Sequence, residues 1–333
     1  MSKPIISIIG LGVTGSSIGL SLRREEGNFD VVGHDKDRRA SDLASKAGAV
    51  NRTSWNLHKA YADAELVVLA VPLSELPDLL ELIRDDLAPN ALVVAVAKLM
   101  QPVLGLSTDL PHGAQLVAIH PILTGVGGML APRADLFDDT PICISTDINT
   151  DPSSLKLASD FAERIGGTPL FIDALEHDGI VAGVEQLPQL LAAAQVQTAI
   201  TAPSWSETER IAGRQFAQST ELGGSAESLF DAFMGNRENL LLRIDQLQNS
   251  LSNWREMLEM EQNSAQDEDE GYPLLDVLKE VVQAREEWEI RAELKRWDAD
   301  ESRDEYVSSA GMMQQMFFGN LFKKRVEKRD GDR

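Results

Sequence analysis

A glycine-rich turn near the N-terminus constrains the fold more than any other feature of the sequence. Gly10, Gly12 and Gly15 follow a short run of β-branched residues and precede apolar residues at helical spacing. In this context the first glycine permits a tight turn, the second lets the backbone approach a diphosphate, and the third lets the helix pack closely on the strand. The pattern predicts a Rossmann dinucleotide-binding unit, with Val13 and Thr14 completing the phosphate-binding loop.

The residues that end the next predicted strands indicate which dinucleotide fits. Asp35 ends the second strand, where a carboxylate can accept a hydrogen bond from a ribose 2′-hydroxyl, so NAD is the predicted cofactor. Arg38 and Arg39 could instead approach a 2′-phosphate, which leaves NADP as the alternative. Val71 and Pro72 end the third strong strand, at the sheet edge where such cofactors bind.

Short apolar strands alternate with helical segments as far as Asp173. This alternation predicts a doubly wound, mostly parallel β-sheet with helices on both faces. From residue 174 onward the apolar spacing is helical only, over residues 179–202, 206–217, 226–260 and 274–297. We therefore expect an N-terminal α/β Rossmann domain (1–173) that binds the cofactor and an all-α C-terminal domain (174–333) for substrate and dimerisation. The long amphipathic helices favour a homodimer.

Charge and cysteine content limit the classes of partner. The formal net charge of -22 over 333 residues repels phosphate backbones and anionic headgroups, so we expect a small-molecule substrate and no nucleic acid. Cys143 is the only cysteine, which excludes an intrachain disulfide and favours a reducing cytoplasm. No run of about 18 apolar residues predicts a membrane span, and the histidines lack the spacing of metal ligands.

His120 is the candidate catalytic residue. It follows a strand predicted over residues 115–119, at the carboxyl edge of the sheet. An imidazole at this edge could take the proton that accompanies hydride transfer from a hydroxyl-bearing carbon. The alternative is a histidine that only shapes a turn. His177 and Asp178 likewise have either an active role or the role of a helix-start pair, with Asp178 near an N-cap.

The order of these motifs resembles that of the prephenate and arogenate dehydrogenases, over most of the chain. The resemblance rests on Gly10-Leu-Gly12-Val-Thr-Gly15 through Gly19, on Ala70-Val71-Pro72, on His120-Pro121 with Gly125, on Ala134-Asp-Leu-Phe137, and on His177-Asp178 followed by Leu187-Pro188. It implies a nucleotide domain followed by a helical dimerisation domain. It also implies that His120 binds the ring hydroxyl of the substrate, that hydride leaves that carbon for NAD, and that loss of carbon dioxide makes the ring aromatic.

Three departures from the family pattern fall on the substrate side. The chain has Ala95-Val-Ala97-Lys98 for the family's Ser-x-Lys, Glu185-Gln186-Leu187-Pro188-Gln189 for Ser-His-Leu-Pro-His, and Ser219-Thr220 for Thr-Arg. Arg210 or Arg214 could supply the lost guanidinium from a neighbouring turn. The residues predicted to contact the substrate are Lys98, Thr124, Gln186, Gln189 and Arg214.

Three functions follow from these observations. The first is a prephenate or arogenate dehydrogenase with a remodelled pocket. The second is an NAD(P)-linked dehydrogenase or reductase of another hydroxy or keto acid on the same scaffold. The third is a non-catalytic protein that senses a dinucleotide, which ranks last because a sensor has no evident need of His120.

Overall fold

The structure is a computed structural model that describes residues 3–24, 29–107, 110–111, 113–123, 131–264 and 273–294. Thr124 and residues 295–297 of the last predicted helix lie outside these ranges. The strands of the described residues are β1 (Ile5–Ile9), β2 (Asp30–His34), β3 (Arg52–Thr53), β4 (Leu66–Leu69), β5 (Leu92–Val96), β6 (Gln115–Pro121), β7 (Pro141–Thr146) and β8 (Thr168–Phe171).

These strands form one sheet in the order β3-β2-β1-β4-β5-β6-β7-β8. Every neighbouring pair is parallel except β6 and β7, which confirms the predicted doubly wound, mostly parallel sheet. The strand order reverses between β1 and β4, whose carboxyl ends therefore flank the crevice where ligands bind in such sheets. The two-residue strand β3 is not predicted from the sequence, because it is too short to show apolar alternation.

The core has two layers, one on each face of the sheet. In β4, Leu66 and Val68 pack with one cluster of buried side chains, while Val67 and Leu69 pack with the other. This alternation follows from the two-residue repeat of a strand. Because both faces are covered, β4 is apolar throughout, as parallel strands between two helical layers are.

Helices alternate with the strands along the chain and follow the last of them. The helices between the strands are α1 (Val13–Leu22), α2 (Arg38–Lys46), α3 (His58–Tyr61), α4 (Leu76–Ile83), α5 (Gln101–Leu104) and α6 (Pro152–Arg164). After the sheet follow α7 (Ala174–Val181), a π-helical turn (Ala182–Gln186), α8 (Leu187–Ile200), α9 (Trp205–Thr208), α10 (Arg214–Ser219), α11 (Ala226–Gly235), α12 (Arg237–Ser264) and α13 (Pro273–Leu294). The described residues after 173 contain helices and no strand, as predicted.

Two of the long helices predicted from the sequence are interrupted. The segment 206–217 contains α9, a short 3₁₀ turn and the start of α10, because Gly213 adopts extended backbone at the N-cap of α10. The segment 226–260 is broken at Asn236, whose backbone leaves helical geometry at φ -134° and ψ 31°. The break at Asn236 has a function in the site, described below.

The chain divides into two compact units, Met1–Met260 and Glu261–Arg333. The predicted domain boundary at residue 173 marks the point after which the described residues form helices only, and it does not coincide with the division at residue 260. The boundary stays a prediction. No helix in the described part of the chain is both long enough and apolar enough to cross a membrane.

Small residues let α1 lie unusually close to the strands. A Cβ atom placed on Gly15 would collide with the carbonyl oxygen of Gly10, and one placed on Gly19 would collide with that of Ala49. Neither obstacle can move easily, since both are backbone atoms. By contrast, a Cβ atom on Gly12 would meet no protein atom within 4 Å.

Gly15→Ala and Gly12→Ala should therefore differ in their effect on stability. The first forces α1 away from β1 and should lower the free energy of unfolding by about 1–3 kcal/mol, the usual cost of overpacking. The second should change it by less than about 1 kcal/mol, because the added methyl group enters open space. Thermal unfolding followed by circular dichroism measures both, and equal melting temperatures for the two variants would contradict this account.

Candidate active site

The glycine loop, residues 10–15, leads from the end of β1 into the first turn of α1, at the reversal of strand order. Gly10 has φ +94°, and a Cβ atom there would collide with the carbonyl oxygen of Ala70 after β4. Gly12 is the N-cap of α1 and is exposed. The loop therefore brings backbone, free of side chains, to the edge of the crevice.

The N-terminus of α1 is suited to an anionic group. No side chain caps it, and its first turn contains no acidic residue. The first N–H groups of a helix lack partners within the helix, and the helix dipole places positive potential there. Val13 and Thr14 lie half-buried in this first turn, and Gly12 leaves room in front of it. These features fit the diphosphate of a dinucleotide.

Asp35 directly follows β2 and holds the glycine loop in place. Its carboxylate accepts hydrogen bonds from the backbone N–H of Leu11 at 2.7 Å and from that of Asp37 at 2.7 Å. Arg38 and Arg39 are exposed at the start of α2. The role of Asp35 toward a ribose stays a prediction.

Val71 and Pro72 lie on the other side of the crevice. Both follow β4, whose carboxyl end stands beside that of β1. Val71 is half-buried, and its Cγ1 atom lies 3.1 Å from the position that a Cβ atom on Gly10 would take. Pro72 is exposed.

His120 lies within a strand rather than after one. The prediction that the strand ends before it is wrong, because β6 continues to Pro121 through pairing with β7. The turn interpretation is therefore wrong as well. Strand alternation places His120 on the same face as Ala118 and Cys143, toward α5 and α7, and it is only 5% exposed.

His120 belongs to a network of four side chains, called here the histidine network. His120 Nδ1 lies 3.1 Å from His177 Nε2, and His177 Nδ1 lies 2.8 Å from Asp178 Oδ1. On the other side of the ring, His120 Nε2 lies 3.4 Å from Glu185 Oε1. Two imidazoles thus stand in line between two carboxylates.

Asp178 anchors the histidine network to the sheet. Its two carboxylate oxygens accept hydrogen bonds from the backbone N–H groups of Met100 and Gln101, at 2.8 and 2.9 Å, where α5 begins. The helix-start interpretation of His177 and Asp178 is wrong for their own helix, since α7 begins at Ala174 and is capped by Asp173. Asp178 instead satisfies the N-terminus of a different helix, after β5.

Asn236, at the break between α11 and α12, makes hydrogen bonds to α7 and to the π turn. Its Nδ2 donates to the backbone oxygen of Asp178 and to Gln186 Oε1, both at 2.8 Å. Asn236 is 6% exposed. The helix break therefore places a buried amide group where it ties α7 and the π turn together.

The hydrogen bonds of the network determine which nitrogen of each ring carries a proton. An ionised carboxylate can only accept, so His177 donates from Nδ1 to Asp178 and keeps a lone pair on Nε2. His120 Nδ1 must then donate to that lone pair. In the neutral state His120 Nε2 is therefore left without a proton, which is the state of a general base.

Burial keeps His120 neutral over a wide pH range. It lowers the pKa of His120 from 6.5 to about 4, with smaller contributions of the same sign from His177 and Lys98, while Glu185 opposes the shift. Burial also raises the pKa of the Cys143 thiol, on the neighbouring strand, to about 11, so that this thiol stays protonated.

Glu185 was not predicted as a site residue, although it stands at the serine position of the family's Ser-His-Leu-Pro-His. It lies in the π turn, with its side chain 29% exposed, and its Oε2 atom accepts from Lys98 Nζ at 3.0 Å. Lys98 follows β5 and is mostly exposed. The Glu185 carboxylate thus lies between Lys98 and His120, and contact of Lys98 with a substrate stays a prediction.

The other residues predicted to contact the substrate are dispersed. Gln186 is buried, and its amide is used by the backbone oxygen of Ala232 and by Asn236. Gln189 accepts from the backbone N–H of Gly223. Arg214 is exposed at the start of α10, and within the described residues it makes no hydrogen bond or ion pair with the histidine network. Among the described residues no group of three or more His, Cys, Asp or Glu side chains could hold a metal ion.

Family models match two successive regions of the chain. The prephenate dehydrogenase nucleotide-binding domain matches residues 18–170, and the prephenate dehydrogenase dimerization domain matches residues 173–280. The chain belongs to the prephenate dehydrogenase family. This confirms the resemblance inferred from the motifs.

Individual relatives in the prephenate dehydrogenase family are distant in sequence. The prephenate dehydrogenase of Bacillus subtilis is 23% identical over 82% of this chain and 77% of its own length. That of Lactococcus lactis is 27% identical over 74% of this chain and 69% of its own. The cyclohexadienyl dehydrogenase of Zymomonas mobilis is 26% identical over 84% of this chain and 94% of its own.

Solved structures of the prephenate dehydrogenase family share the fold. The prephenate dehydrogenase of Aquifex aeolicus, solved with hydroxyphenyl propionate and NAD+, has a TM-score of 0.75 and 23% identity, covering 86% of this chain and 99% of that one. The arogenate dehydrogenase of Synechocystis has a TM-score of 0.70 and 21% identity, covering 85% and 99%.

Asp178→Asn tests the anchor of the histidine network. An amide offers one acceptor oxygen where the carboxylate offers two, and its NH₂ group would face a donor, so at least one buried N–H loses its partner. We expect the free energy of unfolding in urea to fall by about 2–4 kcal/mol. Asp173→Asn on the same helix is the matched control and should change it little, because aspartate and asparagine cap equally well. Equal losses in the two variants would refute this role of Asp178.

Proposed function

We propose that the chain is an NAD-dependent dehydrogenase that oxidatively decarboxylates prephenate or arogenate. Membership of the family supports the reaction, and the glycine loop supports the cofactor. One observation carries the proposal: the hydrogen bonds of the histidine network leave His120 Nε2 without a proton. Since β1, β4, β5 and β6 run parallel, this base lies at the same edge of the sheet as the glycine loop.

The residues around the crevice match the parts of NAD. Gly10, Gly12 and the first turn of α1 would hold the diphosphate, and Asp35 would accept from the adenine ribose. Arg38 and Arg39, exposed nearby, are the reason to measure NADP beside NAD. When bound, NAD supplies the acceptor for the hydride.

His120 removes the proton that would otherwise oppose hydride loss. The ring hydroxyl of the substrate donates to Nε2, so electron density moves onto the carbon that loses its hydrogen together with the electron pair. The bond to the departing carboxylate then breaks, and its electron pair completes the aromatic ring. The proton returns from Nε2 to the ring oxygen, which becomes a phenol, so the reaction releases no net proton.

The polar groups on the substrate side support a second candidate, a dehydrogenase of another hydroxy or keto acid. Gln186 uses its amide within the protein, and Arg214 makes no contact with the histidine network in the described part of the chain. The family pattern predicts an arginine that binds a carboxylate of the substrate. Within the described residues, Arg214 does not take that position beside the histidine network. Among the described residues, Lys98 is a cation that contacts the histidine network, through Glu185, and it could take this role.

The same proposal includes the organisation of the protein. A Rossmann domain over 1–173 would bind the cofactor, and a helical domain over 174–333 would contribute to the substrate site and form a homodimer. The match of residues 173–280 to a dimerization domain supports the dimer. The single cysteine supports a location in the cytoplasm.

Formation of NADH with prephenate or arogenate tests the proposed function. We expect absorbance at the NADH band to rise with the wild type, and kcat to fall about 10²–10⁴-fold in His120→Ala, the range for loss of a general base. His58→Ala is the matched control. His58 is exposed and contacts Asp86 and the ring of Tyr61, neither of which belongs to the histidine network, so its loss should leave kcat unchanged.

Binding of NAD to each variant separates loss of the base from loss of the fold. Activity in His120→Ala comparable to that of the wild type would refute the role of His120. NADH formation with other hydroxy acids, and none with prephenate or arogenate, would favour the second candidate.

A further inference from the structure

Glu185 occupies a position in the histidine network that the mechanism above does not use. Its Oε1 atom faces His120 Nε2, the nitrogen proposed to take the substrate proton, and its Oε2 atom faces Lys98. The side chain of His120 is 7% exposed, that of Glu185 29% and that of Lys98 74%. Glu185 is thus the one ionised group of the network that stands between the buried base and the open side of the site.

The number of protons in the histidine network identifies the state in which Glu185 bonds to His120. Three contacts link the four side chains, and each is a hydrogen bond only when a proton lies between its two atoms. Two neutral imidazoles supply two protons, at His177 Nδ1 and His120 Nδ1. The contact between Glu185 and His120 is therefore a hydrogen bond only when Nε2 carries a third proton, which is the proton taken from the substrate.

In the proposed reaction, His120 Nε2 must keep the substrate proton until the ring becomes aromatic. The proton leaves the substrate oxygen and must return to it, because no net proton is released. His120 is buried, so its charged form is costly without a counter-charge. Asp178 does not touch His120, since His177 stands between them. Glu185 is the carboxylate placed to stabilise the charge directly.

We propose that Glu185 is a positioning residue for the proton that His120 takes from the substrate. Its carboxylate stabilises that proton on His120 Nε2 until the proton returns to the ring oxygen. The inference rests on the proposed function. When Nε2 carries no proton, Glu185 pairs with Lys98 and leaves the lone pair of His120 to the substrate hydroxyl. When Nε2 carries the proton, the carboxylate pairs with the imidazolium. Lys98 and the imidazolium therefore share the negative charge of one carboxylate, each through its own oxygen.

Several titratable or charged groups face His120, and they differ in sign. They are Glu185 on the π turn, Lys98 after β5, His177 and Asp178 on α7, and Cys143 on β7. Cys143 is uncharged near neutrality, since the pKa of its thiol is about 11. Of the charged groups in this set, Glu185 and Lys98 can be neutralised without disturbing the hydrogen bonds that His177 makes to His120 and Asp178.

The decisive experiment is an NMR titration of His120 in the full chain labelled with ¹³C-histidine. The His120 signal is identified by its loss in His120→Gln. We expect a midpoint near pH 4 in the wild type. Glu185→Gln should lower the midpoint by about one pH unit, the size of effect for a charge in direct contact, and Lys98→Gln should raise it by less, because Lys98 lies beyond Glu185. Glu176→Gln removes an exposed carboxylate from α7 and should leave the midpoint unchanged.

Opposite shifts in Glu185→Gln and Lys98→Gln support the proposal, and a raised midpoint in Lys98→Gln alone supports it if Glu185→Gln unfolds before His120 titrates. An unchanged or raised midpoint in Glu185→Gln, or an unchanged or lowered one in Lys98→Gln, overturns it. A purely structural role of Glu185 would not produce shifts of opposite sign. The titration needs no substrate, so lack of turnover with prephenate and arogenate would count against the proposed function and not against these shifts.

Discussion

The buried carboxylate of Asp178 is the contact on which the geometry of the site depends. It accepts two backbone N–H groups at the start of α5 and the Nδ1 proton of His177, so it joins the segment after β5 to α7. A carboxylate that is 2% exposed would be strongly destabilising without such donors. With them, it fixes the tautomer of His177, and through His177 that of His120. The chemistry proposed for His120 follows from this arrangement.

The cofactor half of the site could be predicted from the sequence because its geometry is local. Gly10, Gly12 and Gly15 lie within six residues that lead from β1 into α1, and Gly10 and Gly15 stand where a Cβ atom would collide with backbone. The alternation of apolar strands and helices likewise predicts the sheet, since the central strands of a doubly wound fold are buried on both faces and therefore read as short apolar runs. What the local pattern does not predict are short elements such as β3, which depend on pairing with a neighbour.

The histidine network could not be predicted in the same way, because its members meet only in the folded chain. His120 and His177 are 57 positions apart, and Asp178 bonds to residues 77 and 78 positions before it. Glu185 faces His120 from a π turn, a local change in helical pitch that apolar spacing does not reveal. Gln186, which the sequence suggested for substrate contact, is instead held by Asn236 at a helix break that was also not predicted.

The tautomer of His120 in the full chain at pH 7 tests the central claim most directly. The ¹⁵N chemical shifts of its two ring nitrogens, measured by NMR, distinguish a protonated nitrogen from one with a lone pair. The hydrogen bonds to His177 and Asp178 predict a proton on Nδ1 and none on Nε2. A proton on Nε2 with a bare Nδ1 would contradict the account, because His120 could then not accept the proton of a substrate hydroxyl from that side.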